Sequence, residues 1–310
     1  MRFSFHKQLC GIEISSNAIS AAKIVRDKLG WRLINGITVP LPSESLQLSY
    51  QKTNVADADL LIATLREAIQ QAGIGPGWVG LAIPNEVVKV SIQKLEELPS
   101  SRKAVEKMLA WHTEKTMHFP ADSTRISYQR LESVRGDDNL LLVSVAIKAV
   151  VQEYELKLRE LKLDPVVVQP AGINQFNFYR RALPGSGIIA FLGLYESCFT
   201  FFVFEDANMT FYHSVKRGFS DLHFFQDVDM TMQHYSNVNP DKEIERLYVG
   251  SQVAFHRELR DVFRNLSDME VEIIDESRLI LTDMNLEKEK ERERLSAVAS
   301  AVGAAQSLMR

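Results

Sequence analysis

An apolar run from Leu9 to Ile14, broken only by Glu13, gives way to Ser15-Ser16-Asn17 and resumes from Ala18 to Val25. That pattern predicts a strand, a tight turn and a returning strand. Trp31 to Val39 alternates in the same way, and Pro40-Leu41-Pro42 ends it, because proline cannot donate to a strand ladder. The chain therefore opens on a three-strand meander. Asp57 is placed to cap a helix that carries Leu60, Leu61, Leu65 and Ile69 on one face and stops at Gly73 to Gly77. Val79 to Pro84 reads as a buried strand returning to the same sheet.

From Glu86 to Leu163 the texture changes. An apolar strand at Val87 to Ile92 precedes a helix from Ser101 to Met117, which His118-Phe119-Pro120 brings to an end. Ser127 to Leu131 and Leu140 to Ile147 form a strand pair around the turn at Arg135 to Asn139, and a helix from Ala149 to Leu161 follows. These elements make a compact α+β unit inserted into the first sheet. Pro165 to Val168 supplies another strand and Ala171 to Arg181 a helix, before Leu183-Pro184-Gly185-Ser186-Gly187 marks a domain boundary.

The opening pattern then returns. Ile188 to Leu194, a polar turn at Glu196-Ser197, and Cys198 to Phe204 form a second hairpin, with a third strand at Asn208 to Val215. The aromatic cluster from Phe199 to Phe211 reads as core strand. A helix from Leu222 to Tyr235, a strand from Glu245 to Ser251, a helix from Ala254 to Phe263 and a strand from Val271 to Ile274 follow. A last helix, rich in Ala297, Ala301, Gly303, Ala304 and Ala305, is suited to tight packing and closes the pattern. The expected domains are residues 1–184, a first lobe with the insertion at about 86–163, and residues 185–310, a shortened second lobe.

Composition narrows the function classes. The chain has 310 residues, 45% hydrophobic and 25% charged, and a net charge of −4. This balance argues against non-specific nucleic-acid binding. No apolar stretch reaches the roughly 18 residues of a membrane span, and the start lacks a signal-peptide pattern, so direct membrane insertion is not expected. Cys10 and Cys198 sit in strand-like apolar runs and are expected as buried free thiols in a reducing compartment. His6, His112, His118, His213, His223, His234 and His256 show no zinc-like spacing, and Ser15, Ser16 and Ser197 lack a nucleophile-elbow context. The alternating charges from Glu287 to Arg294 read as a solvated helix start, or as a surface for self-association.

The first hairpin carries the candidate chemistry. Closely spaced backbone N–H groups and hydroxyls at Ser15, Ser16 and Asn17 could cradle a phosphate, with Glu13 the only acid positioned to hold Mg²⁺. A plain hairpin at the start of a sheet fits the same residues.

The order of elements resembles the PilM type of type IV pilus assembly proteins, relatives of the division protein FtsA in the actin-like ATPase superfamily. Gly11-Ile12-Glu13-Ile14-Ser15-Ser16-Asn17 stands where that family has Gly-Ile-Asp-Ile-Gly-Ser-Ser. Leu81 to Pro84, Trp111 through Glu114 to Phe119-Pro120, Leu141 to Ala146, and Pro165 to Val168 match further landmarks in order. The resemblance implies an α/β actin-like ATPase (ribonuclease H-like) fold of two duplicated lobes, with the insertion as an FtsA-type 1C subdomain. It also implies Mg·ATP between the lobes, held by Glu13, Ser15, Ser16, Asn17, Gly193, Gly250 and Ser251.

The departures point the other way. Phe191-Leu192-Gly193 replaces the Asp-Ile-Gly of the second phosphate hairpin, and phenylalanine cannot coordinate a metal. Glu13 and Ser15 replace aspartate and the turn glycine, and Val249-Gly250-Ser251-Gln252 replaces Ser-Gly-Gly-Gly. Fewer than 30 residues separate Gly218 from the strand at Leu247, where the family carries an extra helical subdomain. The expectation is a pseudo-ATPase with no catalytic residue and no metal site. Its implied role is a cytoplasmic scaffold at the inner membrane that grips the N-terminal peptide of a single-pass PilN-like protein among other pilus assembly proteins. An actin-like ATPase or nucleotide-dependent switch that binds Mg·ATP between the two lobes, or a homo-oligomer formed through 1C, is the competing reading.

Overall fold

The computed structural model describes residues 8–117, 119–132, 139–252, 263, 269–284 and 289–309. The expected meander forms from β1 (Leu9–Ile14), β2 (Ala18–Asp27) and β3 (Gly30–Pro40), with Glu13 opposite Ser20 across the first antiparallel pair. Helix α1 (Ala58–Ala72) starts where the Asp57 carboxylate accepts the backbone N–H groups of Asp59 and Leu60. It ends at Gly73, whose φ of 66° is the left-handed cap that glycine takes without strain. β4 (Gly77–Ile83) then runs parallel to β1.

The insertion is a three-stranded antiparallel sheet of β5 (Lys89–Leu95), β6 (Thr124–Leu131) and β7 (Asn139–Ile147), in the order β5-β7-β6, with α2 (Arg102–Met117) on one face. Alternation along β7 explains the packing: Leu141, Val143 and Val145 meet Val105 and Leu109 of the helix, whereas Leu140 and Leu142 turn to the opposite face. Helix α3 (Lys148–Glu160), expected inside this unit, packs on the first-lobe core instead. Its Val150, Tyr154 and Leu158 are buried with Ile12, Leu61 and Leu65. It is the crossover helix that returns the chain to β8 (Leu163–Pro170), parallel to β4.

Helix α4 (Ala171–Tyr179) leads to the second lobe: β9 (Ile188–Leu194), β10 (Phe199–Glu205), β11 (Asn208–Val215), α5 (Phe224–Val238), β12 (Arg246–Ser251) and β13 (Glu270–Ile273). Its sheet order, β11-β10-β9-β12-β13, repeats β3-β2-β1-β4-β8 of the first lobe. The aromatic run is core, as expected, and it faces two ways. Phe199 and Phe201 pack with Phe224 under α5, and Phe202 and Phe204 pack with Phe176 and the opposite face of the sheet. Only the segment Asn239–Glu245 joins α5 to β12, in line with the short spacing read from the sequence. The helix expected at 254–263 lies outside the described residues except for buried Phe263, and so does the expected turn at 135–139 except for Asn139.

The chain end corrects the expectation that it completes the second lobe. β14 (Leu281–Thr282) pairs parallel with β3, extending the first sheet to β14-β3-β2-β1-β4-β8. Helices α6 (Glu289–Ala297) and α7 (Ala299–Gln306) lie on that sheet, with α7 between it and α4. The contacts are of backbone on backbone. A Cβ at Gly11 would stand 1.9 Å from the Ala301 carbonyl oxygen, at Gly80 2.0 Å from that of Ala304, and at Gly303 1.9 Å from that of Asn174. Three glycines are thus what let the last helix seat.

Candidate functional site

The first candidate site is the cleft between the lobes, about 430 Å³ in volume. The β1–β2 turn and the β9–β10 turn reach it from opposite sides. Glu13, Ser15, Ser16 and Asn17 line it together, as the motif implied. Gly193, Gly250 and Ser251 are not among the lining residues. A Cβ on Gly193 would sit 2.2 Å from Gln175 Oε1, and one on Gly250 2.7 Å from the Tyr179 ring, so protein atoms fill the space a ligand would need. Ser251 is fully buried, its carbonyl accepting from the Tyr179 hydroxyl at 3.4 Å.

The Ser15 hydroxyl is spent on its own turn. Its Oγ lies 2.9 Å from the Ala18 carbonyl, to which it donates, and accepts the Ala18 N–H at 3.1 Å. Glu13, only 2% exposed, accepts from Gln252 Nε2 at 2.8 Å through Oε2, while its Oε1 is buried without a partner. Burial pushes its carboxyl up to about 7, against the opposing hydrogen bonds of Gln252 and Ser300. Gln252 Nε2 also donates to Ser300 Oγ at 2.9 Å, and Ser300 lies 3.2 Å from the Tyr195 hydroxyl. First lobe, second lobe and last helix therefore meet in one network.

A second bridge crosses the cleft where Ser197 Oγ donates to Glu86 Oε1 at 2.6 Å. Beside it Asn85 Nδ2 reaches Cys198 Sγ at 3.3 Å, and burial holds that thiol protonated. Cys10 and Cys198 are both free, the first only partly buried. Glu86, Tyr195 and Ser300 were not signalled by any motif, and Gln252 entered only as the last residue of the Val249–Gln252 turn. Glu86, Tyr195 and Gln252 line the cleft from different segments, and Ser300 backs it from the last helix.

These residues do not fit a magnesium nucleotide. Among the described residues the lining carries three carboxylates, Glu13, Glu86 and Glu196, and no lysine or arginine to offset a triphosphate. Phe191, at the position of the family's metal aspartate, is fully buried against Tyr179 and Phe202, with ring centroids 5.7 Å away in each case. Among the described residues no group of three or more His, Cys, Asp or Glu could hold a metal ion. His213 and His234 stand with ring centroids 6.1 Å apart, while His6, His118 and His256 lie outside the described residues.

The second candidate site is a groove that no motif announced. The first sheet ends at β8 and the inserted sheet at β6, and both strands contribute to a cavity of about 200 Å³ lined by one face of β6 and β7 and by the ends of β4 and β8. Its floor is apolar, made by Ile83, Val88, Leu142, Val151, Val168 and Ile173. Ser127, Ser144 and Gln169 supply polar rims, and Arg125 stands at one end, paired at 2.5 Å with the buried Glu155 carboxylate of α3. Sheet edges present backbone N–H and C=O groups that a further strand can pair, so the groove is shaped for an extended chain with apolar side chains.

No family model and no curated protein sequence matches this chain. Solved structures do. A chain of the PilM–PilN type IV pilus biogenesis complex superposes with a TM-score of 0.82 over 97% of this chain and 98% of its own length, at 15% identity. A Bacteroides thetaiotaomicron protein described as having an actin-like ATPase fold and unknown function matches with a TM-score of 0.52, over 90% of this chain and 95% of its own, at 11% identity. Among the described residues no helix is long and apolar enough to cross a membrane. With its twofold repeated strand order and these structural likenesses, the chain has the actin-like ATPase fold.

Proposed function

We propose that this chain is a scaffold of a type IV pilus or related secretion assembly complex, and that it holds the cytoplasmic N-terminal peptide of a PilN-like membrane protein. The observation that carries this reading is the groove, where an apolar floor lies beside β6 and β8, the last strands of their sheets among the described residues. A peptide entering as an added strand would gain main-chain hydrogen bonds from an edge and bury alternate side chains against Val168 and Ile173. The overall likeness to a chain of a PilM–PilN complex supports the choice of partner. The tether of that partner would hold the chain at the inner membrane.

The cleft has a different role in this proposal. Its Glu13–Gln252 and Glu86–Ser197 hydrogen bonds tie the two lobes together, which suits a scaffold role for the cleft. The test is fluorescence anisotropy with a labelled synthetic N-terminal peptide of a PilN-like protein from the same genome. Binding to the wild type, and its loss in Ser127→Trp and Val168→Arg, both of which fill the groove, is the expected result. Unchanged binding in both variants would sink the groove assignment.

A further inference from the structure

A third cavity, about 490 Å³ in volume, adjoins the peptide groove and shares Gln129 with it. Strand β6 runs through both: Arg125, Ser127 and Gln129 line the first, and Gln129 to Leu131 the second, followed by Glu132 just past the strand end. The far wall is the segment after α4, including Arg180, Arg181 and Leu183, and the floor is aromatic, with Phe176 stacked on Phe204 at 5.0 Å and 17°.

Charge distinguishes this cavity from the groove beside it. Arg125 and Arg159 are both paired with Glu155. Arg130, Arg180 and Arg181 are exposed, and among the described residues none of their guanidinium groups has an ion-pair or hydrogen-bond partner. Among the described residues Glu132 is the single acid in the lining. Three guanidiniums with unused planar donors, set around a concave aromatic floor, are suited to carboxylates carried on an extended chain.

Resting on the peptide-groove reading, we infer that this arginine-lined cavity binds an acidic segment of the same partner peptide, continuous with the part seated in the groove. β6 is eight residues long, from Thr124 to Leu131, which at about 3.3 Å per residue spans roughly 26 Å. A peptide lying along its edge and passing Gln129 arrives among the three arginines. The partner's recognition sequence is then bipartite, an apolar extended stretch joined to a run of Asp and Glu. Concavity between two subdomains is what favours a peptide over a flat anionic lipid surface.

The experiment uses the full chain and two fluorescein-labelled peptides. Both begin with the PilN-like N-terminal sequence, and they end in either an Asp/Glu run or the matching Asn/Gln run. Three exposed ion pairs of ordinary strength make the acidic peptide bind the wild type about tenfold tighter at low salt. The preference should vanish in the folded triple variant Arg130→Gln/Arg180→Gln/Arg181→Gln and shrink as salt rises, while the amide peptide binds both proteins equally. Equal affinity of the two peptides for the wild type overturns the inference and leaves the groove reading standing. Failure of both peptides to bind overturns both. Arginine-dependent binding to phosphatidylserine vesicles, with no preference between the peptides, assigns the patch to lipid headgroups and also overturns the inference.

Discussion

Replacing Glu13 by glutamine should stabilise this protein, and increasingly so as pH rises. The folded carboxyl titrates at about 7 against an ordinary value of 4.5 because it is buried. The folded state therefore binds more protons than the unfolded state between those two values, and stability falls as pH climbs through that window. Each unit of separation corresponds to about 1.4 kcal/mol, so the full cost of ionising Glu13 in place is about 3 kcal/mol, reached above pH 7. Glutamine has the shape of the protonated acid, keeps an acceptor for Gln252 Nε2, and carries no charge to bury. Urea unfolding followed by tryptophan fluorescence at pH 5, 6, 7 and 8 reads the difference. The advantage of the variant should grow by about 2 to 3 kcal/mol from pH 5 to pH 8. Parallel pH curves for the two proteins would refute the reasoning and place an unrecognised cation or donor beside Oε1.

Other outcomes follow from the same geometry. Gly11→Ala or Gly80→Ala pushes a methyl into a carbonyl of α7 and should cost about 1–3 kcal/mol by overpacking, seen as a lowered Tm in differential scanning calorimetry. Isothermal titration calorimetry with millimolar Mg·ATP should give no binding heat. Micromolar binding that disappears in Ser16→Ala would show the cleft to be a working phosphate site. Glu155→Gln removes the carboxylate that holds Arg125 and Arg159 and ties β6 to α3. It should destabilise the protein by about 1–3 kcal/mol and speed proteolytic cutting in the inserted unit, and an unchanged cleavage rate would argue against that tie.

Much of the architecture was legible because each meander carries its own binary pattern. The Ser15–Asn17 turn, the Asp57 cap and the repeat at Ile188 are local signals, and they appear where the pattern put them. The destination of the last helix was not legible. Ala301, Gly303 and Ala304 announce close packing, but their partners, Gly11, Gly80 and Asn174, lie more than a hundred residues away in sequence. Gly193 and Gly250 misled for a related reason. A glycine at a strand end reads as room for a ligand, whereas here Gln175, Thr200 and Tyr179 occupy that room. Helix α3 was placed in the insertion because it follows β7 directly, although its apolar face, Val150, Tyr154 and Leu158, complements the first-lobe core. The groove left no trace as a motif, since its lining comes from β4, β6, β7, β8, α3 and α4 and is ordinary in each.

The most direct measurement is amide hydrogen exchange of the full chain with and without the PilN-like N-terminal peptide. Added protection confined to the two edge strands, Thr124–Leu131 and Leu163–Pro170, is the expected result. Protection centred instead on the cleft hairpins, at residues 13–18 and 195–198, or peptide binding with neither edge protected, would contradict the scaffold reading.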